Sequence, residues 1–349
     1  MAVTDFPLNH PLANKLYSKR LFQEALKETS FRKFIGTGSD SLIQINPDLK
    51  EVGDKLTYGL RMLLSGDGVQ GDDTLEGSEE ALIFYSDSIL INQLRHATRS
   101  KGKMSEQRVP YSVREEGMQG LKDWFADRMD SAFFNQLSGN TNVSDTKYTG
   151  NNSTVAPDND HWILATGVAG TNTEASLSAS SIFSLTLIDK AVVKAETLSP
   201  RIRPLRIGGE EKYVCFIHPY QVYQLRQNTN TAQWMDIQKA AMQGGQISKN
   251  PIYTGALGEY NGVVLHKSTR VPTPGVASVY RAIFCGAQAG VLCTGKQTKQ
   301  GLDATWAEEL FDYKNQLGIA GGLIYGIKKS RFNSKDFGSI VVSSYSPAV

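Results

Sequence analysis

The sequence predicts an α+β fold. Three observations carry that reading: an alternating apolar run at 54–64 that returns after a glycine-rich interruption, a long amphipathic stretch at 111–138, and a series of strand-length apolar runs beyond residue 200. With 349 residues and 40% of them hydrophobic, the chain can build one large irregular domain or two ordinary ones.

Residues 1–50 read as an arm. Pro11 opens a short helical pattern in which Leu12, Leu16, Phe22, Ala25 and Leu26 share a face, and Gly36, Gly38 and Pro47 then break it. Residues 54–95 read as a long β-hairpin. Leu56, Tyr58, Leu60, Met62 and Leu64 alternate with polar or small residues, and a return strand is expected around 81–94. The tip at 65–80 is rich in glycine and carboxylates, a poor core element, so the hairpin is expected to project.

Residues 111–138 predict the clearest helix. Met118, Leu121, Trp124, Phe125, Met129, Ala132, Phe133 and Leu137 recur at three- and four-residue spacing, Pro110 precedes the start, and Gly139 with Asn140 stops it. The Asn-, Thr-, Ser- and Gly-rich segment 139–180 reads as a surface insertion with little core of its own. A second helix is expected at 184–198. After it come a strand at 212–217, helices at 219–226 and 231–242, and strands at 262–266, 277–285, 311–318, 321–329 and 338–344.

Charge excludes some functions. The 37 Lys and Arg residues nearly balance 35 Asp and Glu, whereas proteins that grip phosphates show a basic excess. Cys215, Cys285 and Cys293 sit in apolar runs and read as buried free thiols. No apolar run approaches the roughly 18 residues of a membrane span.

Several motifs fail on their context. Gly66, Gly68 and Gly71 satisfy a dinucleotide-binding spacing, but Asp72, Asp73, Glu76, Glu79 and Glu80 stand where a helix should present its amides to pyrophosphate. Residues 290–296 resemble the start of a phosphate loop, yet Gln297 stands where a magnesium-binding hydroxyl is needed. Asp336, Phe337 and Gly338 match a kinase triplet without its catalytic loop. The acidic tip lacks the ligand spacing of a calcium loop, and Cys215 and His218 lack a second ligand pair. No catalytic residue, cofactor site or metal site is therefore assigned.

The order of elements resembles the tailed-phage major capsid fold, the HK-ninety-seven-like fold, and more narrowly the N-four-type major capsid family. The most specific stretch is 64–82, with Gly66, Asp67, Gly68, Gly71, Asp72, Asp73, Glu76, Gly77, Glu79 and Glu80. Supporting stretches are Pro11 with Leu12 and Ala13, residues 107–110, Leu121 to Trp124 with Asp130, residues 285–289 and residues 335–340. The resemblance implies an N-terminal arm at 1–50 that reaches a neighbour and an extended β-hairpin loop at 51–98 lying over an adjacent subunit. It implies a peripheral domain at 99–199 and 305–349, with the spine helix and the insertion, and an axial domain at 200–304. It further implies a shell subunit assembling through hexamers and pentamers into an icosahedral virion capsid around double-stranded DNA, made in the bacterial host cytoplasm. Separate scaffolding, portal and decoration proteins would serve it, with no membrane partner and only weak, non-specific contact with packaged DNA. Candidate subunit contacts are Asp67, Asp72, Asp73, Glu76, Glu79 and Glu80 against Arg95, Arg99, Lys101, Lys103 and Arg108 of a neighbour. The alternatives are an encapsulin-like nanocompartment shell, a nucleotide-binding enzyme using the glycines at 66–71 or 290–296, and a nucleic-acid-binding module using residues 99–108.

Overall fold

A computed structural model describes residues 29–46, 54–61, 68–82, 84–168, 173–207, 209–227, 258–295 and 304–348, less positions 30, 39, 73, 75, 77 and 78. The helices expected near 11–26 and at 231–242 lie outside the described residues, as do Asp67, Asp73 and Lys296.

The spine helix runs from Val113 to Ser138. Its 26 residues span about 39 Å at 1.5 Å per residue. Ser112 caps it by accepting from the Glu115 amide, and Glu115 and Glu116 sit favourably at the positive end of the helix dipole. Gly139 ends it in the left-handed conformation (φ 62°), where an added Cβ would lie 2.6 Å from the Val155 carbonyl. Leu121, Phe125, Met129, Phe133 and Leu137 are buried as the spacing predicts. Phe134, on another face, is buried as well, because the second half of the helix passes between two sheets. Its ring lies 4.9 Å from Phe31 and 5.7 Å from Phe216.

The first sheet is organised by one long strand, Gln316–Lys329. One edge pairs with Asn92–Arg99; the other pairs with Ala304–Phe311 and then Gly290–Thr294. Ile43–Asn46 runs parallel to Gly290–Thr294, with Ile35–Gly36 outside it. Alternation sends Leu317, Ile319, Leu323, Tyr325 and Ile327 into the spine-helix core, and leaves Gly318, Ala320 and Gly322 on the opposite face.

The second sheet runs, in spatial order, Glu259–Tyr260, Val263–Lys267, Glu210–Ile217, Val279–Cys285, Ser339–Tyr345, Trp162–Leu164 and Gly167–Val168, with Leu205–Ile207 beside Glu210–Ile217. Val214, Phe216, Ile283 and Cys285 face the spine helix, while Cys215, Ile217, Ala282 and Phe284 face helices Leu185–Thr197 and Pro219–Gln227. All three cysteines are buried and none is in a disulfide; burial pushes the Cys215 thiol up to about 12. No helix among the described residues is long and apolar enough to cross a membrane.

Several expectations need correction. The division at 199/200 and 304/305 does not follow the sheets. Strand Ser339–Tyr345 and helix Leu185–Thr197, expected beside the spine helix, belong to the second sheet and its cover, and Gly290–Thr294 belongs to the first. Within the expected arm, Phe31 is fully buried among Phe133, Phe134 and Phe216 of its own chain. The return strand is two strands, Phe84–Leu90 and Asn92–Arg99, in different sheets. The expected strand at 311–318 is a turn flanked by two strands, because Asp312, Tyr313 and Lys314 are left-handed without any glycine to announce it.

Candidate functional site

The hairpin pairs Lys55–Arg61 with Phe84–Leu90. Its base is fixed. Ile89 is buried against Val291 and Cys293, with Leu56, Tyr58 and Ile91 around them. Asp87 gathers the polar contacts: it accepts from Tyr58 Oη at 2.8 Å and from the Arg331 amide at 3.3 Å, and it pairs with Lys328. Burial and the Asp87 carboxylate push the Tyr58 phenol far up, so it remains a donor.

The polar insertion holds this base. Asn152 closes a two-way pair with Leu90: the Leu90 amide donates to Oδ1 at 2.9 Å and Nδ2 donates to the Leu90 carbonyl at 3.0 Å. The Gly150 carbonyl accepts from the Ile327 amide at 2.8 Å, and Asn151 Nδ2 donates to the Tyr325 carbonyl at 2.8 Å. Gln136 Nε2 donates to the carbonyls of Thr149 and Asn152, tying the insertion to the spine helix. A side-chain amide thus extends a β-ladder where the backbone has none.

A second buried hub joins helix, insertion and second sheet. Arg281 donates through Nε and Nη2 to Glu174 at 2.7 and 2.8 Å, and through Nη1 to the carbonyls of Ser138 and Gly139 at 3.2 and 2.7 Å. Ser343 Oγ donates to Glu174 at 2.7 Å. Neither charge reaches water, and the bidentate geometry satisfies both. Sequence reading missed this pair, since Glu174 lies in a segment that composition marks as surface.

Beyond its base the hairpin is open. Asp72, Glu76, Glu79 and Glu80 are exposed, and so are Leu82 and Phe84, at 51% and 65%. Apolar groups exposed next to clustered carboxylates mark a contact surface better than either does alone. Gly68 and Gly71 are left-handed with no atom near an added Cβ, and the chain continues into strand Phe84–Leu90. Among the described residues, no helix of the kind a pyrophosphate site requires follows this loop. Gly290–Thr294 is a buried inner strand.

The basic candidates are exposed as well. Arg95 and Arg99 are exposed on the face of the first sheet opposite the spine helix, across from Gly322 and Gly318. The Arg99 guanidinium stacks 4.2 Å above the Phe311 ring. Lys101, Lys103 and Arg108 are exposed along and beside the short helix Lys103–Gln107. The described acidic candidates and the basic candidates are thus all exposed.

His218 reports on acid stability. It stacks on Tyr280 at 3.9 Å, its Nδ1 accepts from the Tyr220 amide, and burial pulls the imidazole down to about 4. The unfolded chain, with an ordinary value near 6.5, then takes up the proton first. Stability is intact above about 6.5 and falls as pH drops from there toward about 4. His266, lowered by burial and by Lys33, adds to the same slope. Melting temperature should fall across this window, and His218→Asn should flatten the fall; an unchanged slope would refute the assignment.

Two sheets clasping a long helix, with a firmly based, outwardly open hairpin, define a shell subunit of the HK-ninety-seven-like α+β class. Comparison with known proteins agrees. The family described as phage capsid protein matches residues 5–348, so the chain belongs to that family and is a tailed-phage major capsid protein forming the capsid shell. The major capsid protein of Pseudomonas phage KPP25 is 28% identical over 369 residues, covering 94% of this chain and 93% of that one. The capsid of Ralstonia phage GP4 superposes with a TM-score of 0.76 at 34% identity, covering 99% of both chains. The capsid of cyanophage Pam1 has the same fold, with a TM-score of 0.76 at 19% identity over 93% of this chain and 94% of that one. These relatives imply a multimeric shell of like subunits in the virion and do not favour the nanocompartment alternative.

Proposed function

We propose that the subunit closes an icosahedral shell through hexamers and pentamers, with its hairpin as the principal arm between copies, and that it performs no catalysis. The observation that carries this is the hairpin: anchored by Asp87, Ile89 and Asn152 at its base, it exposes carboxylates and two large apolar side chains at its far end. The acidic tip, Asp67, Asp72, Asp73, Glu76, Glu79 and Glu80, meets Arg95, Arg99, Lys101, Lys103 and Arg108 of a neighbour. Such wet ion pairs set orientation and register more than affinity. Repeated heterologous contacts about rotation axes then close the shell. The nearly balanced charge suits a container that holds double-stranded DNA without gripping it. Assembly proceeds in the host cytoplasm, with separate scaffolding, portal and decoration proteins. Negative-stain electron microscopy of the expressed chain under crowding should show closed shells or rings of five and six. Monodisperse monomers there, and again after co-expression with the phage's other head proteins, would overturn the proposal.

A further inference from the structure

Strands Glu259–Tyr260 and Val263–Lys267 are joined by a two-residue turn of Asn261 and Gly262, both left-handed at φ 47° and 70°. A tight hairpin turn with two left-handed residues calls for this dipeptide, since asparagine tolerates the first position and glycine the second. It is the only Asn-Gly step in the sequence. The hairpin lies at the edge of the second sheet and holds two residue pairs, Glu259 with Val264 and Tyr260 with Val263. Helix Leu185–Thr197 fastens it from one side: Asp189 accepts from Tyr260 Oη at 2.9 Å and from Asn261 Nδ2 at 3.0 Å.

The dipeptide that makes the turn is also chemically labile. Asn261 is exposed, and Gly262 has no side chain to obstruct its amide nitrogen. A Cβ added there would meet only the Glu211 carbonyl, at 3.9 Å, and among the described residues the amide has no hydrogen-bond acceptor. Once hydroxide removes its proton, this nitrogen attacks Asn261 Cγ. The N–Cγ bond forms, the Cγ–Nδ2 bond breaks, and ammonia leaves with a proton from water. Water then opens the cyclic imide at either carbonyl, giving aspartate or isoaspartate. In sum, carboxamide and water become carboxylate and ammonium, with no other reactant. The attack requires Asn261 to rotate about its ψ, which local opening of a short edge hairpin allows. Either product sets a second carboxylate against Asp189 in place of a donor, and like charges this close repel. Isoaspartate also lengthens the main chain and spoils the turn.

We propose that Asn261 is a site of spontaneous deamidation, and that the carboxylate formed there frees the edge hairpin from helix Leu185–Thr197. The shell reading neither supports nor limits this inference.

The test keeps the folded full-length chain in mildly alkaline buffer for weeks, with samples digested at intervals. Peptide mass analysis should find a gain of about 1 Da at Asn261, with isoaspartate among the products. The gain should come there sooner than at Asn333, which sits in a left-handed turn before Ser334 and not before glycine. Asp189→Ala should hasten it several-fold by removing the acceptor that holds the carboxamide. Gly262→Ala should slow it about ten-fold, because a methyl group obstructs the attacking nitrogen. Hydrogen exchange across 259–267 should rise in the aged protein. The proposal is overturned if the folded wild type keeps its carboxamide at 261 while the urea-unfolded chain loses it. A gain no faster at Asn261 than at Asn333 would overturn it too, and unchanged exchange in deamidated protein would overturn the release of the hairpin.

Discussion

Arg281→Met is expected to destabilise the subunit by about 3–5 kcal/mol, the range for breaking one side of a buried ion pair. Its guanidinium serves three structures at once: the Glu174 carboxylate, the carbonyls that end the spine helix, and, through Glu174, the Ser343 hydroxyl. Without it, Glu174 keeps a charge in a site closed to water, and two helix-terminal carbonyls lose their donor. Adding Glu174→Met should recover much of the loss, because an apolar pair removes the stranded charge. Urea unfolding of the wild type, the single variant and the double variant decides it. A single-variant loss under about 1 kcal/mol would show that the hub is dispensable.

The second large effect is on assembly and not on folding. Asp72→Lys with Asp73→Lys should leave the melting temperature within a degree or two and abolish normal shells. One exposed ion pair contributes roughly 0–1 kcal/mol, but a closed shell repeats the contact in every copy, so a small repulsion accumulates. Charge reversal also misdirects the approach of copies before any contact forms. Combining it with Arg95→Glu and Arg99→Glu should restore part of the yield if these surfaces meet. Particle counts by microscopy and sedimentation read the outcome, and normal shells from the first variant would sink the idea.

How much of this was legible in the sequence varies with the range of the interaction. The spine helix was readable because its caps and periodicity are local: Ser112, Gly139 and the row from Leu121 to Leu137 lie within one stretch of chain. Helix Leu185–Thr197 and strands Glu210–Ile217 and Val279–Cys285 were found for the same reason. The turn at 312–315 was missed because its conformation is imposed by Lys101 and Lys103, far away in sequence. The strand expected at 321–329 begins earlier, as Gln316–Lys329, and Gly321 and Gly322 lie within it opposite Trp306 and Thr305. At the site, the acidic tip and the basic residues were visible from composition. Asn152 and Glu174 were not, since a buried polar residue in a polar run carries no local mark; only its partners identify it.

The second sheet also constrains when the protein can fold. Strand Ser339–Tyr345 is central, between Val279–Cys285 and Trp162–Leu164, and Ile43–Asn46 completes its pairing only once Gly290–Thr294 exists. Both ends of the described chain wait for partners distant in sequence, the arrangement that makes folding slow. A ribosome that releases its product short of residue 339 leaves that sheet split and its apolar faces uncovered. Such a fragment lacks the platform that carries the Arg281 hub and would be lost to aggregation or proteolysis. A subunit therefore becomes competent only once the chain has been made through Tyr345, and a copy cut short before that strand cannot complete the second sheet.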